Sequence, residues 1–343
     1  MKTKPSWKFC VLFVILAVFL TGAADRASAA DIASFYRGKT MRFVVPFSPG
    51  GGYDTYARIL ASVLEKKLGC DVIVINKPGG GGLVAINNLY DSPRKDGLTI
   101  SMGPESLPFA QAIGASGVRF DSRKFGWLAS IFKDIRFVMV DVDAPYKSIE
   151  ELKKLERPKA AVTSITSPAG PSLIVALELL NMENAKIVAG YPGSSEVLLA
   201  VKRGEADFCV QSKSHLLKKD PFVRPLVLIE EKRDPDFPNI PTASEIVAMT
   251  PEKKRIQEII ALGQASGRAV ITPPGVSNEK IRFLQKVVFA SLKDPEFIKK
   301  TQKVGLRLNP LTGEETAVLV EKALKVSPAE VKKLKHILFE KYF

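Results

Sequence analysis

The stretch TMRFVV (40–45), PFSPGGGYD (46–54) and TYARILASVLEKKL (55–68) decides the fold. Its first part is a short apolar run, read as a buried strand. Its last part repeats apolar residues Ala57, Leu60, Ala61, Leu64 and Leu68 at helical spacing, with Gly69 placed to stop the helix. The spacing predicts a helix over about 54–68. Between strand and helix stand Gly50, Gly51 and Gly52. Glycine loses the most backbone freedom on folding, so three in succession imply that the backbone must approach something closely. The first turn of a helix carries unpaired N–H groups and a partial positive charge. A strand, a glycine loop and a helix start therefore make an anion site without a cationic side chain. Asp54 fits a bland role as N-cap or first-turn acid. Arg58, one turn later, fits a structural salt bridge to it, although Arg58 and Arg268 are also candidates to pair with an anion.

The arrangement then repeats. Residues 71–75 form a second strand, residues 76–82 (NKPGGGG) a second glycine loop, residues 83–90 a helix and residues 98–102 a third strand. In a parallel sheet both loops leave the same edge, so the two helix starts can converge. Farther on, strands near 137–140, 160–163, 186–188, 207–210 and 225–229 alternate with helices near 148–155, 171–180 and 195–202. Helices return at 278–292, 295–304 and 314–326. Two such blocks predict an α/β chain of two lobes, each a mostly parallel sheet flanked by helices, with a cleft between them.

The N-terminus reads as a secretory signal peptide over 1–30. Lys2, Lys4 and Lys8 precede a twelve-residue apolar run, and Ala27-Ser28-Ala29 supplies the small residues before cleavage. Twelve residues at about 1.5 Å each fall short of a hydrocarbon core of about 30 Å. The net charge of +14 belongs to scattered helical lysines, with no compact basic run interleaved with aromatics, which argues against nucleic acid. Cys70 and Cys209 lie in different blocks and are expected as free buried thiols. His215 and His336 lack metal-ligand neighbours at recognised spacings, so neither a metal nor a cofactor is expected. There is no G-x-x-x-x-G-K-[ST], the series Gly79, Gly81, Val84 breaks G-x-G-x-x-G, and no G-x-S-x-G occurs.

The ordered set of motifs is collinear over nearly all of residues 31–343. It runs through residues 46–54, Ala57-Arg58, Leu68-Gly69, residues 76–82, and Asp96-Gly97 with Thr99. It continues in Tyr191-Pro192-Gly193-Ser194, residues 204–207, Pro238-Asn239-Ile240-Pro241-Thr242 with Glu245, and Thr272-Pro273-Pro274-Gly275. It resembles the substrate-binding proteins of tripartite tricarboxylate transporters, the Bug family. The resemblance implies a type II periplasmic binding protein with a discontinuous first lobe (31–137 plus 265–343) and a second lobe (138–264). It implies a monomer, not an enzyme, that delivers a small organic carboxylate to a membrane permease of one large and one small subunit.

On that basis the carboxylate is expected on the N–H groups of Gly50, Gly51, Gly52, Tyr53 and Asp54 and of Gly80, Gly81, Gly82 and Leu83, with Phe47 and Ser48 beside them. Ser101, Gly103 and Pro104 are expected to wall the pocket. Ser164, Thr166, Ser167 and Gly170 should close from the second lobe, and Tyr191, Ser194 and Gln211 should meet the ligand's far end. The family pattern departs at Leu98, at Gln211-Ser212 where an aspartate-asparagine pair is common, and at Ser266-Gly267-Arg268 where an aromatic-glycine-leucine segment is frequent. The alternatives are a ligand-sensing subunit of the same fold for a membrane receptor, and an exported hydrolase using the glycine loop as an oxyanion hole.

Overall fold

The structure, a computed structural model, describes residues 31–217 and 221–342. The expected signal peptide lies outside the described residues. Eleven strands among the described residues form two sheets. The first contains β1 (Thr40–Val45), β2 (Asp71–Asn76), β3 (Thr99–Gly103), β4 (Gly126–Ser130), β10 (Ala269–Thr272) and β11 (Leu311–Thr312), in the order β11-β4-β10-β3-β1-β2. The second contains β5 (Arg136–Asp141), β6 (Lys159–Val162), β7 (Lys186–Ala189), β8 (Phe208–Ser212) and β9 (Val223–Leu228), in the order β7-β6-β8-β5-β9.

The predicted β-α-β-α-β start is present: β1 pairs in parallel with β2 and β3 through right-length helical crossovers. Each sheet also holds an antiparallel interior strand. In the second sheet it is β5, between β8 and β9. In the first it is β10, between β3 and β4. These are the strands with which the chain enters each sheet from the other. The two connecting segments pair with one another, Ile131 N–H donating to the Arg268 carbonyl (2.8 Å) and Arg268 N–H to that of Phe132 (2.9 Å).

Side-chain periodicity fixes the cores. Along β5, Phe137 and Met139 enter one apolar cluster, while Val138 and Val140 enter another on the opposite face. The helix Gly52–Leu68 lays Tyr56, Ala57, Leu60, Leu64 and Leu68 on the first sheet against Met41, Phe43 and Val45. Deleting one such leucine to alanine costs ~2–5 kcal/mol in comparable cores.

Several elements escaped the sequence pattern. Strand β4 and the helices Leu107–Ala112 and Pro251–Gly263 are additional, and the last helical stretch breaks at residues 324–327 before a further helix, Pro328–Phe339. That final helix places Leu334, Ile337 and Leu338 in a core shared with second-sheet residues such as Val138 and Phe208. Cys70 and Cys209 are buried free thiols, and burial raises both thiol pKa values.

Candidate functional site

A cavity of about 50 Å³ lies between the two sheets. Three helices begin on it: Gly52–Leu68, Gly170–Leu179 and Ser194–Lys202. Their N-caps are Gly51, Ala169 and Gly193, and none provides a side-chain capping bond. Elsewhere Ser148, Thr250, Ser277, Asp294, Thr312 and Ser327 cap their helices with a side-chain oxygen, whereas Leu83–Tyr90 and Leu107–Ala112 also start without one. First-turn N–H groups have no acceptor within their own helix. Where no side chain serves them, they remain available to a bound anion, and the helix dipoles favour one there.

The first glycine loop is braced from behind by Asp54. Its carboxylate accepts from Gly50 N–H (2.9 Å), from Arg58 Nε (2.9 Å) and from Asn76 Nδ2 (2.9 Å). Asp54 therefore sits in the first turn, one of the two roles expected, and the salt bridge to Arg58 is formed. Burial alone would raise the Asp54 pKa, but the bonds from Arg58, Gly50 and Asn76 outweigh it and hold the carboxyl below its ordinary value. Gly50 takes a left-handed φ of 82°, which turns the loop toward the helix.

Beside this loop lies a buried ionic cluster from widely separated positions. Glu105, Asp134, Arg136 and Arg268 are 0%, 3%, 5% and 4% exposed. Arg136 pairs with Glu105, and Arg268 with Asp134, whose other oxygen accepts from Ser212 Oγ (2.7 Å). The Arg268 guanidinium also stands 4.7 Å from the centre of the Tyr53 ring. Burial opposes the charge on Arg268, yet Asp134 keeps its pKa above the ordinary value. Burial pushes the Glu105 carboxyl upward despite Arg136, while in Asp134 the two arginines overcome burial and lower it. Arg268 is nevertheless incompletely served. Its Nη2 is engaged, but Nη1 and Nε have no hydrogen-bond partner. Nη1 faces Gly52, where any Cβ would overlap it. Asp134, Arg136 and Arg268 all line the cavity.

The structure gathers some of the expected site residues and separates others. Phe47, Ser48, Gly51, Gly52, Tyr53, Ser167, Ser194 and Gln211 line the cavity. Gly50 borders a neighbouring hollow with Thr55 and His215. Gly80, Gly81, Ser164 and Tyr191 line a different, more open hollow. There the second glycine loop abuts the second lobe: a Cβ on Gly81 would overlap Ser164 Oγ and stand 3.0 Å from Ser167 N. Thr166 belongs to the same contact, its carbonyl accepting from Ser106 Oγ (2.7 Å). Gly82 packs on Phe47 and Pro104, and Leu83 enters a hydrophobic cluster with Leu107 and Trp127. Ser101 is spent inside the first sheet, donating to the Val44 (3.2 Å) and Met102 (3.0 Å) carbonyls. Gly103 lies under Ile271, and Gly170 against the Ser164 and Ile165 carbonyls.

Sequence reasoning missed Asp134, Arg136, Glu105, Glu196 and His215 at or beside the cavity. Of the ionic cluster, only Arg268 was singled out, with Arg58, as a candidate partner for an anion. Among the described residues no group of three or more potential metal ligands is assembled. No described helix is long and apolar enough to cross a membrane.

Two mixed α/β sheets, linked by paired crossing segments around a cleft lined by helix starts, make this a two-lobed periplasmic binding protein of type II. Solved structures carry the same fold. The periplasmic binding protein BugD superposes with a TM-score of 0.72 at 20% identity, covering 88% of this chain and 98% of that one. MatC from Rhodopseudomonas palustris, with bound malate, superposes with a TM-score of 0.69 at 20% identity, covering 88% and 99%. In sequence, a UPF0065 protein from the tcbD-tcbE intergenic region of Pseudomonas sp. (strain P51) is 23% identical over 299 residues, 85% of this chain and 84% of the relative. Residues 56–335 match the family of tripartite tricarboxylate transporter receptors, and the chain belongs to that family. It is a solute-binding receptor.

Proposed function

We propose that this protein captures a small organic carboxylate in the interlobe cavity and passes it to a membrane permease of one large and one small subunit. The observation that carries this reading is the convergence of three uncapped helix starts on one cavity that also holds Arg268. The carboxylate sits on the first-turn N–H groups of the Gly52–Leu68 helix, within reach of the Arg268 edge that faces Gly52. Each charge-assisted hydrogen bond of this kind contributes ~1.5–3 kcal/mol when dry and aligned. A few such bonds reach the ~8 kcal/mol of micromolar affinity.

Residues of both lobes line the cavity, so a ligand binds the closed arrangement better than an open one. Closure is a population shift sized by that difference. The bound malate of MatC supports the ligand class. The protein is a periplasmic monomer that binds without turnover, its first lobe built on 31–137 with 265–343 and its second on 138–264, against which the final helix Pro328–Phe339 folds back.

A thermal-shift screen against mono-, di- and tricarboxylates, aromatic acids, amino acids, sugars and cations tests the proposal. Stabilisation by a carboxylate-bearing compound is the expected result. A response confined to sugars or cations overturns the ligand class, and turnover of a bound carboxylate, lost on changing one serine, overturns the binding-only role.

A further inference from the structure

The second glycine loop, residues 79–82, lies off the interlobe cavity, so solute binding does not account for its glycines. It follows β2 of the first sheet and lands on the turn of residues 164–167, which follows β6 of the second. Gly81 is the point of contact. A Cβ there would overlap Ser164 Oγ and stand 3.0 Å from Ser167 N and 3.2 Å from Thr166 Oγ1, so only hydrogen fits between loop and turn. Gly80 differs in one respect. Its φ of 55° is close to the 66° of Gly81, but a Cβ on it would meet nothing nearer than 3.7 Å.

A second element from the same side grips the same turn. Ser106 is the N-cap residue of the helix Leu107–Ala112, is 1% exposed, and makes no capping bond to its own helix. Its Oγ donates across to the Thr166 carbonyl (2.7 Å). The turn is braced internally: Ser167 N donates to Ser164 Oγ (3.1 Å), Ser167 Oγ donates to the Ser164 carbonyl (2.6 Å), and the Ser164 and Thr166 hydroxyls share a bond of 3.0 Å. From this turn the chain passes through Ser167, Pro168 and Ala169, all lining the cavity, into the helix Gly170–Leu179. Fixing the turn against the first lobe therefore fixes one of the three helix starts.

We infer that Gly81 and Ser106 form a closure latch: they seat the turn 164–167 and so position the Gly170–Leu179 helix start over the cavity. The latch joins protein groups to protein groups and needs no solute. It therefore populates the closed arrangement before a solute arrives, and raises apparent affinity by enlarging the binding-competent fraction. Shape carries the Gly81 half of the latch, and a hydrogen bond the Ser106 half.

Nitroxide labels on Ile73→Cys in β2 and Leu199→Cys in the helix Ser194–Lys202, both exposed positions, test this by reporting the interlobe separation in double electron–electron resonance. Cys70 and Cys209 are buried away from the label. With no solute added, the doubly labelled protein should show a short, closed separation. Gly81→Ala should lower the ratio of closed to open separations on the order of tenfold relative to Gly80→Ala, which carries the same left-handed strain without the overlap. Adding Ser164→Ala to Gly81→Ala removes the overlapping oxygen and should recover much of the closed population. Ser106→Ala, which strains no backbone, should lower the ratio by about fivefold. A labelled parent without the short separation, or Gly81→Ala indistinguishable from Gly80→Ala, overturns the latch. So does a Gly81→Ala shift that Ser164→Ala leaves in place. Because the separation is read without solute, the carboxylate reading stands or falls separately.

Discussion

The three helix starts on the cavity and four on the periphery are built differently. On the periphery, Ser277, Asp294, Thr312 and Ser327 each satisfy first-turn amides with their own side chains, and Thr312 and Ser327 add a returning glutamate at the third position. At the cleft, Gly51, Ala169 and Gly193 provide no such oxygen. An N-cap of serine, threonine or aspartate stabilises a helix by ~1 kcal/mol over alanine. The periphery takes that stabilisation from its own sequence. The cleft provides no side-chain oxygen for those donors, which on the proposed reading serve a ligand. On that reading stability and binding draw on the same kind of backbone group and are kept apart by position.

The sharpest way to break this comparison is to disturb the cation among the uncapped starts. Arg268→Leu leaves Asp134 buried without its closest counter-charge and should destabilise the fold by ~3–5 kcal/mol in urea unfolding. The pair Arg268→Leu with Asp134→Leu should lose much less, because neither charge is then stranded.

Next in size is the addition of a cap where none exists. Gly51 has extended φ and ψ of −80° and 168°, and its nearest neighbour to a new Cβ is Ser194 Oγ at an ordinary 3.4 Å. Gly51→Asp should fit, and should raise apo stability by a few tenths of a kcal/mol. Its carboxylate would occupy the ligand's place, so affinity should fall on the order of 100-fold, ~2.7 kcal/mol. Unchanged affinity in titration would show that the first loop is not the site. The peripheral counterpart, Ser277→Ala, should lower stability by ~1 kcal/mol and leave ligand affinity untouched.

The smallest effect concerns Asp54, which braces the loop from behind. Its folded-state pKa is depressed, so its contribution to stability is fully present above the unfolded carboxylate value of ~3.9 and is lost as pH falls through the lower folded value. Arg58 is half exposed, so the ion pair itself contributes less than ~1 kcal/mol. Asp54→Asn should flatten that part of the stability curve below about pH 4 and leave the curve above it shifted by a constant.

The fold was largely legible because its signals are local. The alternation of short apolar runs with 3.6-residue patterns marked β1, β2, β3 and their helices, and Ser148 and Gly69 marked helix ends that the structure confirms. The helix Pro328–Phe339 was missed although Ser327 and Glu330 spell a capping box. The pattern 314–326 ran on across the break that precedes it.

The first glycine loop was legible for the same local reason. The ionic cluster was not. Glu105, Asp134, Arg136 and Arg268 meet only because β10 inserts between β3 and β4, and because the two crossing segments pair at Ile131, Phe132 and Arg268. Nothing in the spacing of four single charged residues announces that. The second glycine loop was legible as special, but its placement was not: it meets Ser164 and Ser167 across the lobes and does not line the cavity.

That second loop has a stereochemical consequence. Residues 79–82 adopt φ values of 138°, 55°, 66° and 101° in succession. An L-residue in the left-handed region is disfavoured by ~1–2 kcal/mol, so the penalties of replacing all four compound. The lobes therefore touch, at this point, through a segment without handedness. At Gly80 an added L-Cβ has room, its nearest neighbours lying 3.7 Å away, so the cost of Gly80→Ala is the left-handed backbone and not a clash. At Gly81 size adds to conformation, because any Cβ there would overlap Ser164 Oγ.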